Sequence, residues 1–270
     1  TGGAGFIGSR LCEKLFDNQY NITIMDNLSP QIHGKGESFL FNRIKNKCRF
    51  FYGDVTNLED WKKVIKGQDI IVHLAAETGT GQSMYESDKY TNVNVKGTAC
   101  MLEVLENSEH NIQKIVVASS RAVYGEGKYL CLKNNKETYP LQRKESDMKQ
   151  GLFNPRCNIC NSELKMVATD EDSKINPLSV YGKTKYEQEK MVMSSGKLLG
   201  IPSVAFRYQN VYGPGQSLLN PYTGILSIFS TRILNHNDLN IYEDGLESRD
   251  FVYIDDVVDA TILGIEKEEA

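Results

Sequence analysis

No apolar run in the 270 residues approaches the roughly 18 that a membrane span needs. Cysteine is scarce: six in the whole chain, too few for a disulfide scaffold and suited to a reducing compartment, expected here to be the cytoplasm. Basic residues are not in excess, with 31 against 35 acidic and a net charge of −4. The footprint of bulk nucleic-acid binding is therefore missing. Internal repeats and low-complexity tracts are also missing. What is present is an ordinary globular composition, 40% hydrophobic and 24% charged, long enough for one large or two modest domains with a sizeable core.

The first half alternates short apolar runs with longer amphipathic stretches. Strands are expected at Ile22–Asp26, Arg49–Tyr52, Asp69–Leu74 and Lys114–Ser119, and helices at 7–17, 57–66, 91–109 and 178–199. Continuous apolar runs suit parallel strands buried on both faces, and the alternation predicts an α/β fold with a doubly wound parallel sheet. Residues 126–177 break the pattern: they are polar, contain Pro140, Pro155 and Pro177, and read as a long insertion. After about 207 the chain turns to Gly- and Pro-bearing loops, then a helix and a short strand, Leu239–Tyr242.

Gly2, Gly5 and Gly8 recur at three-residue spacing at the head of the first helix. Glycine there lets the backbone approach a pyrophosphate, and the helix start offers free N–H groups to the anion. Asp26 lies 18 residues after Gly8, ending the next strand, where a carboxylate can bind ribose hydroxyls and repel a 2′-phosphate. NAD is thus favoured over NADP. Asp54 and Val55, ending the third strand, are placed to read an adenine edge. No strand precedes the glycine turn, so the natural protein is expected to begin about 5–10 residues earlier.

Tyr181 and Lys185 fall on one helix face. An ammonium beside a phenol favours the phenolate, which can act as general base toward a sugar hydroxyl. The spacing alone is uninformative, because four other pairs share it: Tyr85–Lys89, Tyr124–Lys128, Tyr129–Lys133 and Tyr186–Lys190. Tyr186, five residues on from Tyr181, points about 140° around the same helix.

Taken together, TGGAGFIGS at 1–9, DNLS at 26–29, GDVTN at 53–57, HLAAE at 73–77, NVNVKGT at 92–98, SSRAVYG at 119–125, YGKTK at 181–185, RYQNVYGPGQ at 207–216 and RDFVYIDDVVDA at 249–260 resemble the extended short-chain dehydrogenase/reductase family of NAD-dependent nucleotide-sugar epimerases and dehydratases. The resemblance implies a Rossmann domain over 1–206, with the insertion at 126–177, and a partial nucleotide-sugar-binding region over 207–270. It implies Ser120, Tyr181 and Lys185 as the catalytic set, and a cofactor site of Gly2, Gly5, Phe6, Ile7, Gly8, Asp26, Asn27, Asp54, Val55, Leu74, Ala75, Ala76, Asn94, Ser119, Tyr181, Lys185 and Tyr208. Thr78, Ser120, Asn210 and Arg249 would meet the substrate; the competing reading of Arg249 is a surface ion pair with an acidic neighbour. A homodimer is implied through the helices near 91–107 and 180–199, with no nucleic-acid or membrane partner.

In the family's dehydratase branch an acid pair follows the position of Ser120, whereas Arg121 and Ala122 stand here. That favours 4-epimerisation through a transient 4-keto sugar, with NAD retained. Segments 73–86, 118–127 and 208–230 are most similar to those of enzymes that interconvert dTDP-L-rhamnose and dTDP-6-deoxy-L-talose for polysaccharide synthesis, with UDP-glucose or UDP-glucuronate 4-epimerisation, or a nucleotide-sugar dehydratase or reductase, as the alternative. No metal is expected in the active site. Cys131, Cys157 and Cys160 form a zinc candidate within the insertion that lacks a fourth ligand there, since none of the four histidines falls in it. Otherwise they are free thiols or a redox-labile pair.

Overall fold

The computed structural model describes residues 1–34, 38–218, 220, 222 and 224–268. Parallel strands β1 (Thr23–Asp26) and β2 (Arg49–Tyr52) form one sheet. Strands β3 (Ile70–His73) and β4 (Lys114–Ser120) form another with β8 (Ser203–Tyr208), in the order β3-β4-β8 and all parallel. Thr1 and Gly2 lie between the two sheets and bond to both. Gly2 N donates to Met25 O (3.0 Å), Thr1 N to Val72 O (2.8 Å) and Leu74 N to Thr1 O (3.1 Å).

Side chains along β4 alternate between two cores, as the two-residue period of a strand requires. Val116 packs with Leu11, Leu15, Ile254 and Val258, from the helices Phe6–Asp17 and Ile254–Glu266 on one face. Ile115 and Val117 join Trp61, Met101, Leu105 and Val192, from the helices Leu58–Val64, Gly97–Asn107 and Val180–Leu199 on the other. All seven residues of β4 are buried, which explains its unbroken apolar run. The sheet is wound on both faces, as expected.

Several boundaries differ from expectation. The helix expected at 91–109 is a π-helix, Thr91–Lys96, continuing as the α-helix Gly97–Asn107. Leu239–Tyr242 forms no strand and pairs with none among the described residues. The pair after 208 is β9 (Asn210–Tyr212) with β10 (Phe251–Tyr253), in parallel. The boundary drawn at 206 falls inside β8, and the helix Ile254–Glu266 returns to pack on Phe6–Asp17. The insertion has a sheet of its own, β5 (Tyr129–Cys131) flanked antiparallel by β6 (Glu137–Thr138) and β7 (Leu164–Met166). No helix among the described residues is long and apolar enough to cross a membrane.

Candidate active site

A cleft of about 1120 Å³ opens at the carboxyl ends of β1, β3, β4 and β8, where doubly wound sheets bind ligands. Its inner end is the glycine turn. A Cβ on Gly8 would stand 2.4 Å from Gly2 O and 2.6 Å from Gly3 Cα, so the turn closes against the first helix only with glycine there. Gly5 caps that helix without a side chain, leaving the first-turn amides unclaimed by any cap. Phe6, Ile7 and Gly8 line the cleft there, a cradle suited to a pyrophosphate.

Asp26 forms the next part of the wall. Its carboxylate accepts from Ala4 N (3.0 Å) and Leu28 N (2.9 Å), and His33 Nε2 stands 3.7 Å away. Burial raises its pKa, but His33 and the two backbone N–H groups outweigh this and hold it below the usual carboxylate range. Asp26 therefore faces the cleft as an anion, the form that accepts from ribose hydroxyls. Asn27 Nδ2 donates to Asp54 Oδ2 (2.9 Å), which ties two more lining residues together. A glycine cradle, an open helix start and an ionised carboxylate at the next strand end together fit NAD.

Beyond them, β4 delivers Ser119 and Ser120 to the cleft. Ser119 Oγ donates to Glu189 Oε2 (2.6 Å), a carboxylate held by Arg207, while Ser120 Oγ accepts from Ala122 N (3.2 Å) and lines the cleft together with Tyr181. Helix Val180–Leu199 brings Tyr181 there. Ser179 Oγ caps it by accepting from Gly182 N (3.0 Å), and Tyr181 N donates to Ser83 Oγ (3.0 Å). Gly182 is the residue that permits the approach, since a Cβ there would stand 2.6 Å from Ala122 O.

The expected lowering of the Tyr181 pKa by Lys185 is not found. Burial pushes the phenol up, opposed by the Ser120 hydroxyl, and pushes Lys185 down to about 7, opposed by Glu189. Burial disfavours the charged form of each, so the phenol stays protonated and Lys185 is divided between its two forms near neutral pH. Lys185 Nζ donates to Gln188 Oε1 instead, and Gln188 Nε2 donates to Thr98 Oγ1 (2.8 Å).

Of the five tyrosine–lysine pairs, only Tyr181–Lys185 lines the cleft. Tyr85 is 65% exposed, and Tyr124 lies under Arg207. Leu74, Ala75, Ala76, Val55, Thr78 and Tyr208 line it as well. Asn94 does not, which corrects its placing among cofactor contacts. It is fully buried one layer behind, accepting from Glu77 N (2.8 Å) and donating to Glu77 O (3.1 Å) and Thr184 Oγ1 (3.0 Å). Asn210 and Arg249 line the outer wall. Asn210 Nδ2 donates to Asp250 O (3.0 Å), and Arg249 Nη2 donates to Glu247 Oε2 (2.8 Å), the acidic pairing weighed against a phosphate role. Sequence reasoning gave no role to Glu77, Arg232 or Asn240, which also line the cleft. Glu77 closes the HLAAE block and was within reach; the other two sit in segments that carry no motif.

Residues 1–147 and 162–270 match the NAD dependent epimerase/dehydratase family. The chain belongs to that family and is an NAD-dependent enzyme of epimerase type. Among its relatives, a dTDP-L-rhamnose 4-epimerase of Burkholderia thailandensis is 37% identical over 99% of this chain and 72% of its own length. A putative UDP-glucose 4-epimerase of Methanocaldococcus jannaschii is 33% identical over 98% and 72%. The solved UDP-glucuronic acid 4-epimerase of Bacillus cereus, in complex with UDP-glucuronic acid and NAD, superposes with a TM-score of 0.75 at 27% identity, covering 99% of this chain and 72% of that one. The unmatched segment, 148–161, carries Cys157 and Cys160.

Proposed function

We propose that this protein is a nucleotide-sugar 4-epimerase that retains its NAD, and that dTDP-L-rhamnose and dTDP-6-deoxy-L-talose are its substrate pair. The observation that carries the chemistry is the meeting of Ser120 and Tyr181 at one point of the cleft, between the dinucleotide cradle and the outer wall with Asn210 and Arg249. Tyr181 takes the proton of the C4 hydroxyl, and Ser120 hydrogen-bonds the reacting oxygen. Lys185, one turn on and lowered to about 7, takes up its proton when the phenolate forms beside it, and that ammonium stabilises the phenolate. Bound NAD+ supplies a hydride acceptor for C4 and a positive ring that favours the phenolate. The 4-keto sugar, turned to present its other face, would take back at C4 the hydride it gave up while Tyr181 returns the proton to its oxygen. Asn94 braces the loop at Glu77 and the catalytic helix at Thr184.

Arg121 and Ala122 line the cleft beside Ser120 and provide neither the acid nor the base that elimination of water would need. The 37% identity to the rhamnose enzyme supports the sugar and nucleotide; the UDP-glucose and UDP-glucuronate relatives carry the second reading. Arg249 holds the diphosphate by exchanging Glu247 for phosphate oxygens, which its planar fork binds two at a time. We further propose residues 1–208, through the end of β8, with the returning helix Ile254–Glu266 as the NAD-binding unit and 209–253 as part of the sugar-binding one, a homodimer, a cytoplasmic location and a role in polysaccharide synthesis.

The test is incubation of the purified protein with dTDP-L-rhamnose and with UDP-galactose, without added reductant. An isomer of unchanged mass from the rhamnose nucleotide supports the assignment. A product lighter by one water, or none from either sugar, overturns it.

A further inference from the structure

The insertion carries a cluster that the epimerase chemistry does not use. Cys131, Cys157 and Cys160 bring their sulfurs within 4.8 Å of one another. Cys131 Sγ and Cys160 Sγ are 3.5 Å apart, and Ser162 Oγ stands 3.1 Å from each. A tetrahedral zinc with about 2.3 Å bonds to sulfur needs sulfurs about 3.8 Å apart, which the Cys131–Cys160 pair meets within a few tenths of an ångström and the third sulfur within about 1 Å.

Two turns of the same design hold the sulfurs. Asn135 N donates to Cys131 O (2.8 Å), and Asn161 N to Cys157 O (2.9 Å). Each turn then passes through a left-handed asparagine, Asn135 at φ 54° and Asn161 at φ 55°. Where the second turn places Cys160, the first places Asn134, whose side-chain oxygen already accepts from Lys136 N (3.1 Å). The fourth corner thus falls to oxygen.

We propose that Cys131, Cys157 and Cys160 bind one zinc ion as thiolates, with the Ser162 hydroxyl at the fourth corner, and that this ion pins the insertion to the outer wall of the cleft. The mechanical path is short. Asn158, inside the second turn, accepts from Leu141 N (3.3 Å) and donates to Tyr139 O (3.0 Å). Two residues on, Arg143 reaches Glu243 (2.6 Å) and Glu247 (3.8 Å), and Glu247 in turn holds Arg249. Binding replaces the three thiol protons with the ion and needs no oxidant.

The test is metal analysis of the full protein purified without chelator. One zinc per chain is expected, falling to near zero in Cys157→Ser and staying at one in Cys48→Ser, whose sulfur lies outside the cluster. Asn134→Cys supplies a fourth thiolate and should slow zinc loss to a chelator at least tenfold, a gain that no folding defect can imitate. Metal-free wild type with all its thiols titratable, a Cys131–Cys160 disulfide, or iron in place of zinc would each overturn the proposal.

Discussion

The inner wall of the cleft is set by backbone. Ser119, Ser120 and Lys185 are buried, Gly8 and Gly182 leave no room for a methyl group, and Asp26 is fixed by two backbone N–H groups. The outer wall is set by side chains at the surface. Helix Ile225–Leu234 buries none of its residues, Leu226, Ile233 and Leu234 are exposed, and Arg249 is 43% exposed beside an equally exposed Glu247. The reaction needs one fixed geometry, so its wall is over-determined. On the proposed reading, sugar choice falls to the exchangeable side chains of the outer wall.

That contrast predicts a graded series. Gly8→Val drives a side chain into Gly2 O and Gly3, with only backbone to yield; it should destabilise the protein by more than about 3 kcal/mol and abolish NAD retention, read by thermal unfolding and by cofactor content after gel filtration. Tyr181→Phe should keep the fold and the NAD and lower kcat about 10²–10⁴-fold, because only the proton acceptor is gone. Arg249→Ala should raise KM for the nucleotide sugar about tenfold with Tm and NAD content unchanged, since its side chain is a surface group. If Arg249→Ala instead loses NAD or unfolds, the two walls are not separable.

The smallest effect is on pH dependence. Lys185 is pushed down to about 7 in the folded protein from an ordinary 10.5. Between those values the unfolded chain holds the extra proton, so this residue adds stability as pH rises from 7 to 10.5 and withdraws it as pH falls. Lys185→Met should remove that slope. The wild type should therefore gain Tm relative to the variant between pH 7 and 10, measured without cofactor or sugar.

Legibility in the sequence follows the same division. Strands β1, β3 and β4 could be read because burial leaves continuous apolar runs, β2 from its aromatic run although none of its residues is buried, and the phosphate turn from its glycine spacing. Strand β8 was hidden by Arg207 within it, which folding neutralises with Glu189 and Tyr124, 18 and 83 residues away. Leu239–Tyr242 has the alternation of a strand but no partner among the described residues, and pairing is not written locally. The strands of the insertion are only two or three residues long, too short for any periodicity. Tyr181 could be separated from its four look-alikes only by the surrounding block. Its partner Ser120 was found in the same way, while the neutral state of Lys185 depends on burial that no spacing reveals.

The central claim is that C4 loses its hydrogen and regains the same one within the cleft, while Tyr181 carries only the hydroxyl proton. Turnover of dTDP-L-rhamnose deuterated at C4, in ordinary water, tests it most directly. The account predicts an epimer that keeps its deuterium at C4; release of that deuterium to solvent, or an epimer inverted at another carbon, would contradict it.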